Sequence, residues 1–118
     1  MFKVIIAGGR TFNDYPLLVR VCDNALSKQT DIEIVSGTAN GADKLGERYG
    51  LEHKIKIKQF YPDWETYGKK GGFIRNEDMA KYADALIVFW DGESKGTKHM
   101  IDLSYKYGLK VKIVNYAT

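Results

Sequence analysis

The sequence predicts an α/β fold: a single three-layer domain around a five-stranded parallel sheet in the order 3-2-1-4-5. Three observations lead there. Short apolar runs alternate with amphipathic stretches, and glycine-bearing turns separate them, as in a parallel sheet covered by helices on both faces. Two of the runs are uninterrupted and two alternate with lysine, which sorts the strands into central and edge positions. The length of 118 residues, 44% hydrophobic and 28% charged, suits one domain with a real core and no enclosed chamber. Any binding site is therefore expected to be an open crevice.

The first strand is read at Phe2–Ala7, where Val4-Ile5-Ile6-Ala7 marks a strand buried on both faces. A helix follows at Tyr15–Ser27, with Leu18, Val21, Cys22, Ala25 and Leu26 at helical spacing. The second strand is Ile32–Ser36 and the second helix Gly41–Gly50. In the third strand, Lys54–Gln59, lysine and isoleucine alternate, which places it at an edge. Phe60 to Gly72, with Tyr61, Trp64, Tyr67 and a Gly-Lys-Lys-Gly-Gly stretch, reads as one long connection of the kind that carries function or moves. Beyond it come a helix at Phe73–Tyr82, with Arg75-Asn76 at its start, and the continuous strand Ala85–Trp90. A last helix, Lys98–Tyr107, leads to the alternating edge strand Lys110–Asn115. Right-handed crossovers then reverse the winding between the first and fourth strands and open a crevice at their carboxyl ends.

Composition narrows the function. A net charge of +3 suits an anionic ligand and falls short of a dedicated duplex-binding module. The single cysteine, Cys22, lies among apolar neighbours and reads as core. No apolar run approaches the roughly 20 residues of a membrane span, and no signal-peptide pattern opens the chain, so a cytoplasmic protein is expected. His53 and His99 have no second histidine or cysteine at metal spacing; neither a metal nor a cofactor is expected. Walker A and Gly-x-Ser-x-Gly patterns are both missing. A homo-oligomer is compatible with the sequence.

Four segments gather at the expected crevice. The first strand runs into Gly8-Gly9-Arg10-Thr11-Phe12, where glycines let backbone N–H groups approach a phosphate and Arg10 can grip it bidentately. After the second strand, Ser36-Gly37-Thr38-Ala39-Asn40-Gly41-Ala42-Asp43 offers small donors, with Asp43 either facing the ligand or complementing its helix dipole. Arg75, Asn76 and Met79 share one helix face; a cation at a helix start needs a compensating anion, which a ligand could supply. The fourth strand ends in Asp91-Gly92-Glu93-Ser94-Lys95-Gly96-Thr97, the strongest anion site in the chain, with hydroxyls and N–H groups at a helix N-terminus and Lys95 adding charge.

Together, Gly8–Phe12, Ser36–Asp43, Ile74–Met79 and Phe89–Thr97 resemble the YspA-like branch of the SLOG superfamily, which also groups LOG-type nucleotide phosphoribohydrolases and the DprA/Smf proteins. The resemblance implies a Rossmann-like domain that binds a nucleotide or nucleotide-derived ligand, such as an ADP-ribose-like or cyclic nucleotide signal, for sensing or sequestration. In the LOG enzymes the last loop reads Pro-Gly-Gly-x-Gly-Thr-x-x-Glu. Here Gly96-Thr97-Lys98-His99 is followed by Met100, so N-glycosidic cleavage needs a substitute carboxylate, with Asp43, Asp91 and Glu93 as candidates. Similarity to the DprA/Smf group leaves single-stranded DNA binding as a further alternative.

Overall fold

In the computed structural model, which describes residues 1–116, the uninterrupted run at the start of the chain becomes β1 (Phe2–Gly8). Successive side chains point to opposite faces of a strand, so Val4 and Ile6 enter one core while Ile5 and Ala7 enter another. Against the first core pack α1 (Tyr15–Ala25), through Leu18 and Cys22, and α2 (Ala42–Glu52), through Ala42 and Tyr49. The second is closed by α4 (Gly71–Tyr82), through Met79 and Ala80, and α5 (Lys95–Lys106), through Met100, Ile101 and Leu103. Burial pushes the Cys22 thiol up to about 12, so it sits in the first core as an inert apolar group.

Five parallel strands make the sheet, in the order β3-β2-β1-β4-β5. They are β1, β2 (Ile32–Ser36), β3 (Lys56–Gln59), β4 (Ala85–Trp90) and β5 (Lys110–Asn115). β1 is paired with β2 on one side and with β4 on the other, Ile6 opposite Ile87. The lysine-alternating strands lie at the two edges with Lys56, Lys58, Lys110 and Lys112 exposed. The expected Rossmann-like order is the observed one. Among the described residues, no helix is long and apolar enough to cross a membrane.

The connection after β3 differs from the expectation of a plain loop. It folds into α3 (Trp64–Tyr67) and a 3-10 turn (Gly68–Lys70) that runs directly into α4. Asp63 caps α3 by accepting from the Thr66 amide at 3.0 Å, and Gly68 ends it with φ of 57°. Trp64 then lies on the first residues of α4: a Cβ on Gly71 would stand 3.1 Å from its ring atom Cε3, and one on Gly72 3.4 Å from Cη2. Glycines at both positions let the indole settle there. As a result α4 starts at Gly71, not at Phe73, and Arg75 is its fifth residue. The last helix likewise starts at Lys95, not at Lys98, because the Ser94 side chain caps it. β3 is shorter than read, beginning at Lys56 after a turn in which Lys54 has φ of 55°.

Gly46 shows where packing overrides helix propensity. In a helix interior Gly→Ala is ordinarily favourable by up to about 1 kcal/mol. On Gly46, however, a Cβ would lie 2.7 Å from Ile6 Cγ2 and 2.8 Å from Ile6 Cβ, atoms held by a fully buried strand. Gly46→Ala is expected to destabilise the domain by about 1–3 kcal/mol in urea unfolding; a gain in stability would mean that α2 can shift away from β1 at little cost.

Candidate functional site

β1 and β4 lie side by side and point the same way, but the helices that follow them pack on opposite faces. Their exit loops therefore diverge, leaving a crevice of about 410 Å³ at the carboxyl end of the sheet. The turn after β1 is stitched to its neighbours: the Gly9 amide donates to the Phe89 carbonyl at 3.0 Å, and the Gly9 carbonyl accepts from Phe12 and Ala42 at 3.2 Å. Gly8 lies so close to the Phe89 carbonyl that a side chain has no room, and Gly41, with φ of 78°, crowds the Gly9 carbonyl. Arg10 emerges from this rigid turn with its side chain exposed at the crevice mouth.

The turn after β2 supplies the floor. Ser36 is fully buried and donates to Glu47 Oε2 at 2.6 Å while accepting from the Thr38 amide at 3.1 Å. It braces the turn and does not line the crevice, contrary to its expected ligand-facing role. Asp43, only 5% exposed, accepts from the Ala39 amide at 3.2 Å. Across Gly37 stands Arg75: a Cβ on Gly37 would be 2.9 Å from Asp43 Oδ2 and 3.2 Å from Arg75 Nη1. The half-buried Arg75 guanidinium donates to the Gly37 carbonyl and, through Nε, to Asn76 Oδ1 at 3.0 Å. Arg75 thus has partners within the chain and sits a turn inside its helix, so the expectation of an uncompensated cation at a helix start is corrected. The Asn76 amide in turn meets His99 Nδ1 at 3.2 Å.

Burial pushes the Asp43 carboxyl up to about 6, against the pull of the Ala39 N–H and the Arg75 charge. For Arg75, burial lowers the pKa while Asp43 opposes it. Asp91 has the reverse environment: the Ser94 and Glu93 amides, both 2.8 Å from Oδ1, hold it below the usual carboxylate range. Asp91 lines the crevice but is engaged in shaping its turn. Glu93, Lys95 and Gly92 are exposed and lie off the crevice, so of the three candidate carboxylates only Asp43 is buried in its wall. The α5 N-terminus contributes Ser94, Gly96 and Thr97. Thr97 is buried and its hydroxyl donates to Ser94 Oγ at 3.2 Å, which ties it to the fold as well as to the crevice.

Gly37, Thr38 and Asn40 face an adjoining cavity of about 400 Å³, which shares Arg10, Ala39 and Arg75 with the first. Thr11 and Ala39, inside two of the segments expected at the crevice, and Met100 also line it. Among the described residues, no group of three or more His, Cys, Asp or Glu side chains is placed to hold a metal.

Comparison with known proteins decides the family. The model of the YspA, cpYpsA-related SLOG family matches residues 2–67. The chain belongs to this SLOG family. Gene 61 protein of Mycobacterium phage D29 is 30% identical over 118 residues, which cover 94% of each chain. The solved structure of DNA processing protein A (DprA) from Streptococcus pneumoniae is similar with a TM-score of 0.79 at 16% identity, and DprA from Helicobacter pylori with 0.75 at 20%. The alignments take in 99% and 98% of this SLOG chain but only 51% and 66% of those proteins. At such identities the likeness is one of fold.

Asp43 carries a pH signature. Its pKa rises from 3.8 to about 6 on folding, so the folded chain keeps a proton that the unfolded chain has released. The associated stability is fully present below about pH 4 and is lost as pH rises through about 6, a change on the order of 3 kcal/mol. Asp43→Asn keeps an acceptor for the Ala39 amide and carries no charge. It is expected to raise the Tm at pH 8 and to flatten the fall in stability between pH 4 and 7, followed by thermal unfolding across that range. The same slope in variant and wild type would assign the titration to another group.

Proposed function

We propose that the crevice binds a nucleotide or nucleotide-derived ligand through its phosphate groups, for sensing or sequestration. The observation that carries this reading is Gly96. Glycine near the start of a helix costs stability relative to alanine, yet Gly96 has an ordinary backbone and nothing within 4 Å of where a Cβ would stand. No feature of the fold calls for a glycine there. A phosphate approaching the open amides of the α5 N-terminus does, and Arg10 and Arg75 place positive charge on the same crevice. Together they provide a general grip for an ADP-ribose-like or cyclic nucleotide signal.

A second reading, hydrolysis of a nucleotide N-glycosidic bond, is favoured by Asp43, a buried carboxyl that titrates near 6 in the crevice wall and can hold or release a proton close to neutrality. Incubation with a nucleotide panel, followed by denaturation and mass spectrometry, separates the two: unchanged ligand supports binding and free base supports cleavage. The Helicobacter pylori neighbour is described by its single-stranded DNA binding mode, so salt-sensitive retention of single-stranded DNA in place of nucleotide would move the reading toward nucleic acid.

Arg10→Ala is expected to weaken nucleotide binding roughly 10- to 150-fold, the loss of one charged hydrogen bond, with the Tm unchanged because the side chain is exposed. Gly96→Ala is expected to keep or raise the Tm while weakening binding. Wild-type affinity in both variants, measured by calorimetry, would remove the phosphate from this end of the crevice.

A further inference from the structure

We propose that the adjoining cavity is a second ring-binding subsite, so that the ligand is a dinucleotide-type molecule with a ring system on each side of a pyrophosphate; this rests on the phosphate-binding reading of the main crevice. The two cavities, about 410 and 400 Å³, are nearly equal. Each falls within the range of small-molecule sites. They meet at Arg10 and Arg75, which line both. Arg10 lies close enough for its charge to oppose that of Arg75, and Asp43 is the carboxylate acting on Arg75. Two guanidiniums at a waist match the two adjacent charges of a pyrophosphate, whereas a nucleoside monophosphate needs one such partner.

The far wall of the second cavity is aromatic. Tyr61 and Trp64 line it and are 67% and 51% exposed. Two exposed rings that line one concavity offer a stacking surface there. The Tyr61 hydroxyl donates to Gln59 Oε1 at 3.1 Å, and the indole rests on the Gly71-Gly72 start of α4. Thr38 forms part of the same wall with φ of 67°, a left-handed conformation that a β-branched residue adopts at a cost. Strain of this kind gathers where a turn is held for binding. Aromatic faces beside paired guanidiniums suit a planar heterocycle attached to phosphate.

The test compares nucleoside 5′-monophosphates with the matching dinucleoside diphosphates, titrated by calorimetry into wild type, Trp64→Ala, Trp64→Phe and Arg10→Ala. In the wild type the dinucleoside diphosphate is expected to bind at least tenfold more tightly. Trp64→Ala should reduce its affinity about tenfold and leave the monophosphate within twofold, while Trp64→Phe restores stacking. Arg10→Ala should weaken both. Equal affinity for the two ligand classes, or an equal loss of both in Trp64→Ala, would overturn the second subsite and leave the phosphate reading standing. No binding of either class to the wild type would overturn the phosphate reading itself. Thermal unfolding of Trp64→Ala guards against loss of the α4 start, and Tyr61→Ala, which leaves that seat intact, should show the same selective loss.

Discussion

Everything at the crevice depends on β1 being buried on both faces between two parallel partners. Val4, Ile5 and Ile6 have no exposed surface, so the strand cannot slip by one residue without exchanging its contributions to the two cores. That pins the register against β4, Gly8 opposite Phe89, and with it the point where the two chains part. The helices after β1 and β4 lie on opposite faces for the same reason: each core needs its own cover. The crevice is the space that this division leaves, which is why it forms from backbone turns and helix starts.

Charge at the site is organised by depth. Arg75 is half-buried, with its guanidinium held by the Gly37 carbonyl and Asn76, and Asp43 faces it across a glycine too small to separate them. Such an arrangement leaves both groups poorly solvated: burial raises the acid and lowers the base, and the charge of each opposes the shift of the other. Arg10, on the rim, has solvent in place of protein partners. The two arginines therefore differ in kind. One is preorganised by the fold and bears part of the cost of that order already; the other is free to close on whatever arrives.

How much of this was legible in the sequence follows from the range of the interactions involved. Uninterrupted runs and lysine-alternating runs are local patterns, and they gave the strand order with its switch point. The strap after β3 was harder, because a four-residue helix shows no apolar period. Its one local mark is Asp63 placed to cap Thr66, followed by a glycine stop. Carboxylates were harder still: Asp43, Asp91 and Glu93 look equivalent in a string of letters. What separates them is that Asp43 is buried where Arg75 and Met79 of the distant α4 close on Gly37 beside it, whereas Asp91 bonds amides within three residues of itself. The bracing role of Ser36 is hidden for a similar reason, since its partner Glu47 lies one element further on.

Met100 bears on what the crevice can do. It occupies the position at which LOG-type loops carry a glutamate, and here it is 3% exposed, packed into the second core while still touching the crevice. A carboxylate at that point would have to enter an apolar cluster or displace it, at a cost that burial of an unpaired charge makes large. At Met100 the wall beside the α5 N-terminus is therefore committed to packing. A carboxylate able to exchange a proton is found elsewhere in the wall, at Asp43 in the first turn of α2. A reacting ribosyl centre would have to reach toward α2 for it, so any cleavage here would follow a geometry unlike that of an enzyme whose acid and phosphate grip share one helix. Retention of an intact ligand needs no such reach, and that difference is the physical reason for placing binding ahead of hydrolysis.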